Sequence, residues 1–415
     1  MAVYRTRSIE RAVADLFAEL PALLLTGPRA AGKTTTAARF AATVVRLDHP
    51  GEATAFRADP DAALRGLPEP VLLDEWQAVP GVLGAVKRTV DADPRPGRFL
   101  LTGSVRADLD ATVWPGTGRV VRLAMYPMTV AEITGRAEVV PSLIDRLAGG
   151  DPLEPSASTP DLRGYVELAL QGGFPEPVLA LGERTRRAWI ASYIDQLLTH
   201  DVEQLAEDRD PARLRRYFEA YALNSAGLVE DKTLYEAAGI NRKTALAYER
   251  LLTNLVAVDR VPAWTTNRLK RLVLSPKRYL VDSSLLGGIL GAGVPEVMRD
   301  GDLLGRVLDT FVAAQLRAEV AVAETRPRLY HLRQEQGRHE VDLLAELGGE
   351  RVVGIEVKAD SAPSHDAGRH LAWLRDELGD RFLGGVVLHT GPRTYRVADG
   401  IVAAPISTLW ASAGG

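Results

Sequence analysis

The chain has no cysteine among its 415 residues. Disulfide bonds, thiolate zinc sites and cysteine nucleophiles are therefore excluded, and the absence suits the reducing cytoplasm, where we expect the protein to reside. Long hydrophobic runs are also missing: the amino terminus lacks the apolar core of a signal peptide, and no segment approaches about 18 uncharged apolar residues. We therefore expect no membrane span. A chain of this length predicts two or three domains.

Lysine is scarce, and neither sign of charge is in large excess. The net charge is −4, so the overall balance does not predict nucleic-acid binding, and any such surface would have to be local. Only seven of the 50 basic residues are lysines. Two of them, Lys33 and Lys358, stand where the expected chemistry favours a compact ammonium over a forked guanidinium.

Residues 1–150 are predicted to form an α/β domain, because short apolar runs alternate there with helical patterns. Nearly continuous apolar runs are typical of buried parallel strands. The predicted strands are Ala22–Thr26, Val44–Leu47, Val71–Leu73 and Phe99–Thr102.

Beyond this domain, a segment rich in Gly, Pro and Ser at residues 149–160 is typical of a linker. Residues 161–285 are predicted to form a mostly helical middle domain, which includes a β-hairpin around Trp264–Val281. Residues 286–415 are predicted to return to a mixture of helices and strands.

A phosphate-binding loop follows the first predicted strand. The pattern G-x-x-x-x-G-K-[ST] is matched by Gly27, Pro28, Arg29, Ala30, Ala31, Gly32, Lys33 and Thr34, with Thr35 directly after it. The glycines permit backbone turns that aim N–H groups at phosphate oxygens, and the following helix adds its positive end. We expect ATP binding, with Lys33 on the β- and γ-phosphates and Thr34 on Mg²⁺.

A second acidic motif ends the strand Val71–Leu73. Asp74 is placed to hold the metal ion or its water, and Glu75 is placed to activate the water that attacks ATP. The alternative is a glycine-rich turn and an unrelated acidic strand end. Because both motifs occur in this order, each after an apolar strand, the sequence predicts a Mg²⁺-dependent ATP-hydrolysing site.

Two further positions are candidates for contact with ATP. A hydroxyl at the end of the strand Phe99–Thr102 is placed to sense the γ-phosphate, and Thr102 and Ser104 are equal candidates for that role. A simple strand-to-turn ending is the alternative. Arg119 is a candidate for stabilising transition-state charge, in cis or from a neighbouring subunit, and its alternative is an ordinary surface arginine.

Further motifs extend this series in order along nearly the whole chain. They are Leu47-Asp48, Gly118-Arg119, Gly172-Gly173-Phe174-Pro175-Glu176, Pro276-Lys277-Arg278-Tyr279, Glu340-Val341-Asp342 and Glu356-Val357-Lys358. Together with the ATP motifs they resemble prokaryotic AAA-superfamily ATPases that carry a carboxy-terminal domain of unknown function. The resemblance implies an AAA-type parallel-sheet ATPase domain, a helical and winged-helix middle, and an α/β domain similar to restriction endonucleases.

The middle of the chain predicts a helix-turn-helix. Gly239 supplies the turn and Asn241 is a good N-cap, so Arg242 and Lys243 would face outward at the start of a recognition-type helix. The following hairpin carries a basic set that is a candidate for contact with the phosphate backbone of DNA or RNA. The set is Arg268, Lys270, Arg271, Lys277 and Arg278. The alternative is a winged helix that only packs against the ATPase.

Near the carboxy terminus, a β-hairpin is predicted to bring Asp342, Glu356 and Lys358 together, because positions i and i+2 of a strand share a face. This is the D…E-x-K constellation of metal-dependent nucleases, in which the carboxylates hold Mg²⁺ and the lysine orients or deprotonates the attacking water. Asp309, on a predicted helix Arg306–Glu319, stands where nuclease relatives place another acid, usually glutamate. Its shorter side chain weakens the metal site, and an inactive nuclease-like fold is the alternative.

Three functional hypotheses follow. The first is an ATP-driven protein that acts on nucleic acid; the second is an ATP-dependent switch or scaffold that binds a protein partner and cuts nothing. The third is a transcription regulator that works through the helix of Arg242 and Lys243. An open groove around Asp342, Glu356 and Lys358 would favour the first hypothesis, and a filled groove the second. A homo-oligomer is also compatible with the sequence.

Overall fold

The computed structural model describes residues 4–103, 118–156, 158–199, 210–272, 274–334 and 338–411, which form two compact units. The first unit comprises Arg7–Pro127 with Leu252–Val256. The second comprises the described residues of Met1–Thr6, Met128–Leu251 and Ala257–Gly415. Within these described ranges, no helix has the length and apolar character needed to cross a membrane.

The first unit is built on a five-stranded parallel sheet with the strand order β2-β3-β4-β1-β5. The strands are β1 (Ala22–Thr26), β2 (Thr43–Arg46), β3 (Val71–Asp74), β4 (Phe99–Gly103) and β5 (Val121–Ala124). The helices are α1 (Ile9–Phe17), α2 (Lys33–Ala37), α3 (Pro50–Ala58), α4 (Pro60–Leu64) and α5 (Val82–Ala92). Short 3₁₀ turns follow α2 at Ala38–Phe40 and β3 at Trp76–Ala78.

The four predicted strands of this sheet are confirmed to within one residue, and the three central ones, β1, β3 and β4, are buried on both faces. Leu23, Leu24 and Leu25 of β1 are almost completely inaccessible, and a fully buried leucine stabilises the fold by about 1.5–3 kcal/mol. β5 was not predicted. It is an edge strand with exposed positions, including Arg122, so it lacks the continuous apolar run of the central strands.

Residues 128–254 are helical, as predicted for most of this region. The helices are α6 (Val130–Ile133), α7 (Leu143–Gly149), α8 (Leu162–Gln171), α9 (Pro175–Ala180), α10 (Glu183–Leu198), α11 (Pro211–Leu223), α12 (Asp231–Ala237) and α13 (Arg242–Asn254). The predicted helix-turn-helix corresponds to α12 and α13. Gly239 has a φ of +64°, and Asn241 Oδ1 accepts the N–H of Thr244 at 2.9 Å.

The β-hairpin predicted at Trp264–Val281 is correct only for its second strand. β6 (Val258–Val261) pairs antiparallel with β7 (Lys277–Leu280), and we call this pair the ribbon. Trp264 is buried outside both strands. Between the two strands lies a short helix, α14 (Arg268–Arg271). The Asn267 side chain caps its amino end by accepting hydrogen bonds from the N–H groups of Leu269 and Lys270.

The carboxy-terminal part combines helices with a six-stranded mixed sheet of order β12-β13-β11-β10-β9-β8. The helices are α15 (Ser284–Leu290), α16 (Val294–Arg299), α17 (Gly301–Val320) and α18 (Arg369–Leu378). The strands are β8 (Arg328–Gln334), β9 (His339–Glu346), β10 (Val352–Val357), β11 (Phe382–His389), β12 (Tyr395–Ala398) and β13 (Ile401–Pro405). The predicted β9–β10 hairpin is confirmed. α18 packs closely on this sheet, since a Cβ at Gly354 would lie 2.5 Å from Leu371 Cδ2.

Candidate nucleotide-binding site

The loop between β1 and α2 adopts a conformation that depends on its glycines. A Cβ added at Gly27 would lie 1.9 Å from the carbonyl oxygen of Met125, so only glycine fits there. Further along, Ala30 and Gly32 have left-handed φ angles of +58° and +91°. Such turns aim backbone N–H groups into a concave surface, which is the form that binds phosphate.

The Lys33 side chain lies inside this loop. Its Nζ donates hydrogen bonds to the carbonyl oxygens of Gly27, at 3.0 Å, and Pro28, at 2.7 Å. Burial lowers the pKa of Lys33 to about 8, and the negative charges of Glu75 and Asp74 only partly offset that effect. The ammonium is therefore held at the loop, beside two carboxylates.

Thr34, near the amino end of α2, and Asp74, at the carboxyl end of β3, lie in direct contact. Thr34 Oγ1 donates a hydrogen bond to Asp74 Oδ1 at 2.7 Å. Hydroxyl and carboxylate oxygens are the ligands that Mg²⁺ prefers. These two residues therefore fit a magnesium ion next to the phosphate-binding loop.

Thr102 lies near the end of β4, as predicted, and contacts the Asp74 carboxylate. Its hydroxyl is completely buried and donates a hydrogen bond to Asp74 Oδ1, which holds the Asp74 carboxylate in its orientation. This contact favours a supporting role for Thr102 over direct sensing of the γ-phosphate. Ser104, the other candidate, lies outside the described residues.

Glu75 follows the end of β3 in a left-handed conformation, with φ of 51° and ψ of 51°. The carboxylate accepts a hydrogen bond from the side-chain amide of Gln77. Among the charges that act on the Lys33 pKa, Glu75 has the largest effect. The negative charge of Glu75 therefore acts on the lysine of the loop, and its role in activating water stays a prediction.

Arg119 does not reach the loop within the same chain. It precedes β5, whose first residue Val121 lies beside Leu23 at the amino-terminal part of β1. The phosphate-binding loop follows the other end of β1. Arg119 Nε instead contacts Asp91 Oδ1 at 2.5 Å, and its side chain is 47% exposed. The predicted role in cis is therefore corrected, and a role from a neighbouring subunit stays a prediction.

Arg7 supports the loop, although no sequence motif predicts this role. Its guanidinium is buried and donates to the carbonyl oxygens of Ala31, at 2.8 Å, and Tyr126, at 2.7 Å. It thereby connects the loop to the segment that follows β5. A single arginine in an arginine-rich chain carries no motif, so only the fold identifies it.

In the second unit, Asp342, Glu356 and Lys358 come together as predicted. Ile355 pairs with Leu343, so Glu356 and Asp342 are the next opposite positions of β10 and β9. Lys358 Nζ donates to Glu356 Oε2 at 2.9 Å. Burial, followed by the charge of Asp342, raises the pKa of Glu356 well above its ordinary value.

Lys277 of the ribbon fills the centre of this cluster. Its Nζ lies 2.6 Å from Asp309 Oδ2 and 3.0 Å from Asp342 Oδ1, and its side chain is 3% exposed. Tyr279 donates to the other Asp309 oxygen at 2.9 Å. An ammonium thus occupies the space between two of the three predicted metal ligands. Across the described ranges, no three His, Asp or Glu side chains form a group arranged to hold a metal ion.

The basic patch predicted on the hairpin is largely internal, which corrects that prediction. Arg271 makes a bidentate pair with Glu346, at 2.8 and 2.9 Å, and Arg278 is 1% exposed and pairs with Asp231. Lys277 is buried as described. Only Arg268 and Lys270 of the set are exposed. The reason is that the acids lie elsewhere in the sequence and meet the ribbon only through folding.

Three family models match parts of this chain. Residues 19–134 match the model of an AAA domain, and residues 162–296 and 304–409 match two domains of unknown function, DUF8612 and DUF4143. The Walker-type ATPase paby2304 of Pyrococcus abyssi is 13% identical, with a TM-score of 0.43, over 69% of this chain and 98% of that chain. The likeness of the carboxy-terminal part to restriction endonucleases stays a prediction.

Two uncharacterized mycobacterial proteins match over most of their length. They are Rv2008c of Mycobacterium tuberculosis (strain ATCC 25618 / H37Rv) and Mb2031c of Mycobacterium bovis (strain ATCC BAA-935 / AF2122/97). Each is 31% identical over 394 residues, which cover 94% of this chain and 81% of the relative. The chain therefore belongs to the family of these two proteins, and its amino-terminal part is an ATP-binding domain of the AAA superfamily.

Proposed function

We propose that the protein is a Mg²⁺-dependent ATPase whose active site is the loop between β1 and α2 together with the end of β3. The observation that carries the proposal is the contact of Thr34 with Asp74 at 2.7 Å beside the buried Lys33. A phosphate-binding lysine and a hydroxyl–carboxylate pair for magnesium are the parts that phosphoryl transfer requires.

Each part has a chemical role. The backbone N–H groups of the loop, other than at Pro28, which has none, and the ammonium of Lys33 bind the phosphates, while Thr34 and Asp74 would hold Mg²⁺. The bound metal ion supplies positive charge that neutralises phosphate oxygens. Glu75 takes a proton from water as the water oxygen bonds to the γ-phosphorus. The bond from that phosphorus to the bridging oxygen breaks, which releases ADP and phosphate.

The test separates binding from turnover. Lys33→Ala should abolish binding of a fluorescent ATP analogue, and Glu75→Gln should retain binding and lose phosphate release. Lys87→Ala is a matched control, because Lys87 is a partly exposed lysine paired with Asp91 on α5. Turnover in Glu75→Gln equal to that of the unmodified protein would remove Glu75 from the mechanism. Binding without any turnover in the unmodified protein would leave an ATP-binding protein that is not an ATPase.

For the second unit, we infer a partner-binding switch rather than a nuclease. The supporting observation is the Lys277 ammonium at 2.6 Å from Asp309 and 3.0 Å from Asp342, in the space that a nuclease would give to Mg²⁺. Lys358, the predicted activator of water, is itself paired with Glu356. The ion pairs of Lys277 join the ribbon to α17 and β9 and fix the packing of these elements.

This inference has a direct test against the nucleic-acid hypothesis. The full chain, with Mg²⁺ or Mn²⁺ and ATP, is incubated with single- and double-stranded DNA and RNA while ATP turnover and strand cleavage are followed. We expect no cleavage. Cleavage that disappears in Lys358→Ala would instead establish Asp309, Asp342 and Glu356 as a working metal site. Exposed Arg242 and Lys243 are the residues to substitute if a specific duplex stimulates ATP turnover.

A further inference from the structure

Gln77 lies two residues beyond the carboxylate proposed to activate water. The chain turns sharply after β3: Glu75 is left-handed, and its carbonyl oxygen accepts the N–H of Ala78 at 3.0 Å. This 3₁₀ turn brings the Gln77 side chain back beside Glu75. There, Gln77 Nε2 donates a hydrogen bond to Glu75 Oε2.

The turn that carries Gln77 is packed against the end of β4. Trp76 is 3% exposed, and a Cβ added at Gly103 would lie 2.7 Å from Trp76 Nε1 and 2.9 Å from Gln77 Oε1. The glycine thus lets the turn approach the backbone immediately after Thr102. Because the turn is packed on this side, the Gln77 amide is held in a fixed place relative to β3 and β4.

We propose that Gln77 is a positioning residue for the Glu75 carboxylate during ATP hydrolysis. The inference rests on the proposed function of Glu75. A glutamate side chain has three rotatable bonds, and a general base must lie within hydrogen-bond reach of the proton that it removes. The amide fixes one carboxylate oxygen and therefore the direction of the other. A displacement of about 1 Å in such a group can lower the rate about 100-fold.

Gln77→Glu is the most informative substitution. It keeps the shape of the side chain but replaces the hydrogen-bond donor by an acceptor that carries the same negative charge as Glu75. We expect kcat to fall by about 10- to 100-fold, while the KM for ATP and the affinity for an ATP analogue change less than about twofold. Gln77→Ala, which removes the side chain, should likewise lower kcat while changing the KM for ATP and the affinity for an ATP analogue little. Gln196→Ala, at an exposed glutamine of α10, should match the unmodified protein.

The pH profile distinguishes positioning from a general structural role. A protonated carboxyl at position 77 again donates a hydrogen bond, and the like charge of Glu75 raises its pKa. The kcat of Gln77→Glu, relative to that of the unmodified protein, should therefore rise as the pH is lowered from about 8 to about 6. Gln77→Ala should show no such recovery.

Two results would overturn the inference: a kcat of Gln77→Glu and Gln77→Ala within twofold of the unmodified protein, or an equal loss of ATP affinity and kcat in both. Glu75→Gln is measured in parallel. If it keeps full turnover, the proposed role of Glu75 fails and this inference fails with it. If it loses turnover while both Gln77 variants remain fully active, only the role of Gln77 is lost.

Discussion

Single residues carry most of the chemistry. Lysine is scarce in this chain, and its few positions help to identify the residues with a chemical role. Lys33 and Lys358 stand out because only seven lysines occur in the chain; Lys33 contacts the Gly27 carbonyl oxygen inside the loop, and Lys358 contacts Glu356. Lys277 was predicted to lie on a basic surface. It is instead buried between two carboxylates, where a compact ammonium is better suited than a guanidinium.

The first prediction at this scale concerns Lys277. Lys277→Met should destabilise the second unit by about 3–5 kcal/mol, because it leaves the buried charges of Asp309 and Asp342 uncompensated. Chemical denaturation measures the change. Lys232→Met, at an exposed lysine of α12, should stay within about 0.5 kcal/mol of the unmodified protein.

Adding Asp309→Asn to Lys277→Met should recover part of that stability, since one uncompensated charge is removed. A Lys277→Met variant that unfolds at the same denaturant concentration as the unmodified protein would show that the ion pairs contribute no net stability.

At the scale of secondary-structure elements, the hydrophobic pattern predicted several of the strands whose residues are buried. It identified the central strands β1, β3 and β4 and the hairpin of β9 and β10. It missed the edge strand β5, whose exposed positions break the apolar run, and the first strand of the ribbon. The loop between β1 and α2 was predicted from its spacing alone. The contact of Gly27 with Met125, almost 100 residues away, was not.

That contact leads to a prediction for the loop. In Gly27→Ala, the added Cβ would lie 1.9 Å from the Met125 carbonyl oxygen, so the loop must shift. Overpacking of this kind costs about 1–3 kcal/mol. ATP binding requires the original loop shape, so the cost falls on the bound state and lowers ATP affinity by about 5- to 150-fold. Titration with a fluorescent ATP analogue measures it.

Gly51→Ala in α3 is the matched control, because the nearest atoms to its added Cβ are at the ordinary distance of 3.5 Å. It should bind ATP as the unmodified protein does. An ATP affinity of Gly27→Ala equal to that of the unmodified protein would mean that Met125 can move away without loss of binding free energy. The close approach of Gly27 and Met125 would then not determine the shape of the loop.

At the scale of the whole molecule, the composition of the chain indicates only in part where one compact unit ends and the next begins. The first compact unit ends at Pro127, before the Gly-, Pro- and Ser-rich segment at residues 149–160. The middle and carboxy-terminal regions share one compact unit. Ion pairs between distant segments explain this, since Arg271 pairs with Glu346 and Arg317 with Asp259 at 2.8 Å each.

The stability of the molecule in acid provides a prediction at this scale. His331 is 2% exposed; its Nε2 lies 3.1 Å from the Ser275 carbonyl oxygen, and its Nδ1 has no hydrogen-bond partner within the described ranges. Burial lowers the pKa of His331 to about 4. In an unfolded chain the histidine takes up its proton near pH 6.5.

Between about pH 4 and pH 6.5, the His331 side chain therefore binds a proton in the unfolded chain but not in the folded one. The His331 contribution to stability is present above about pH 6.5 and is lost as the pH falls towards about 4, by up to about 3 kcal/mol. His331→Gln should lose less stability than the unmodified protein between pH 7.5 and pH 4.5, measured by thermal unfolding. His49→Gln, at an exposed position, should behave like the unmodified protein. Identical pH dependence in both variants would contradict the prediction.

The sequence by itself determined the phosphate-binding loop and the strand and helix that flank it, because such a loop is formed by residues adjacent in the chain after a buried strand. It also predicted that Asp342, Glu356 and Lys358 meet, since the period of a β-strand and one turn suffice. Only the tertiary structure decided what surrounds these groups. Lys277, Arg7 and Thr102 reach their partners from distant segments, and contacts of that kind leave no local pattern in the amino-acid sequence.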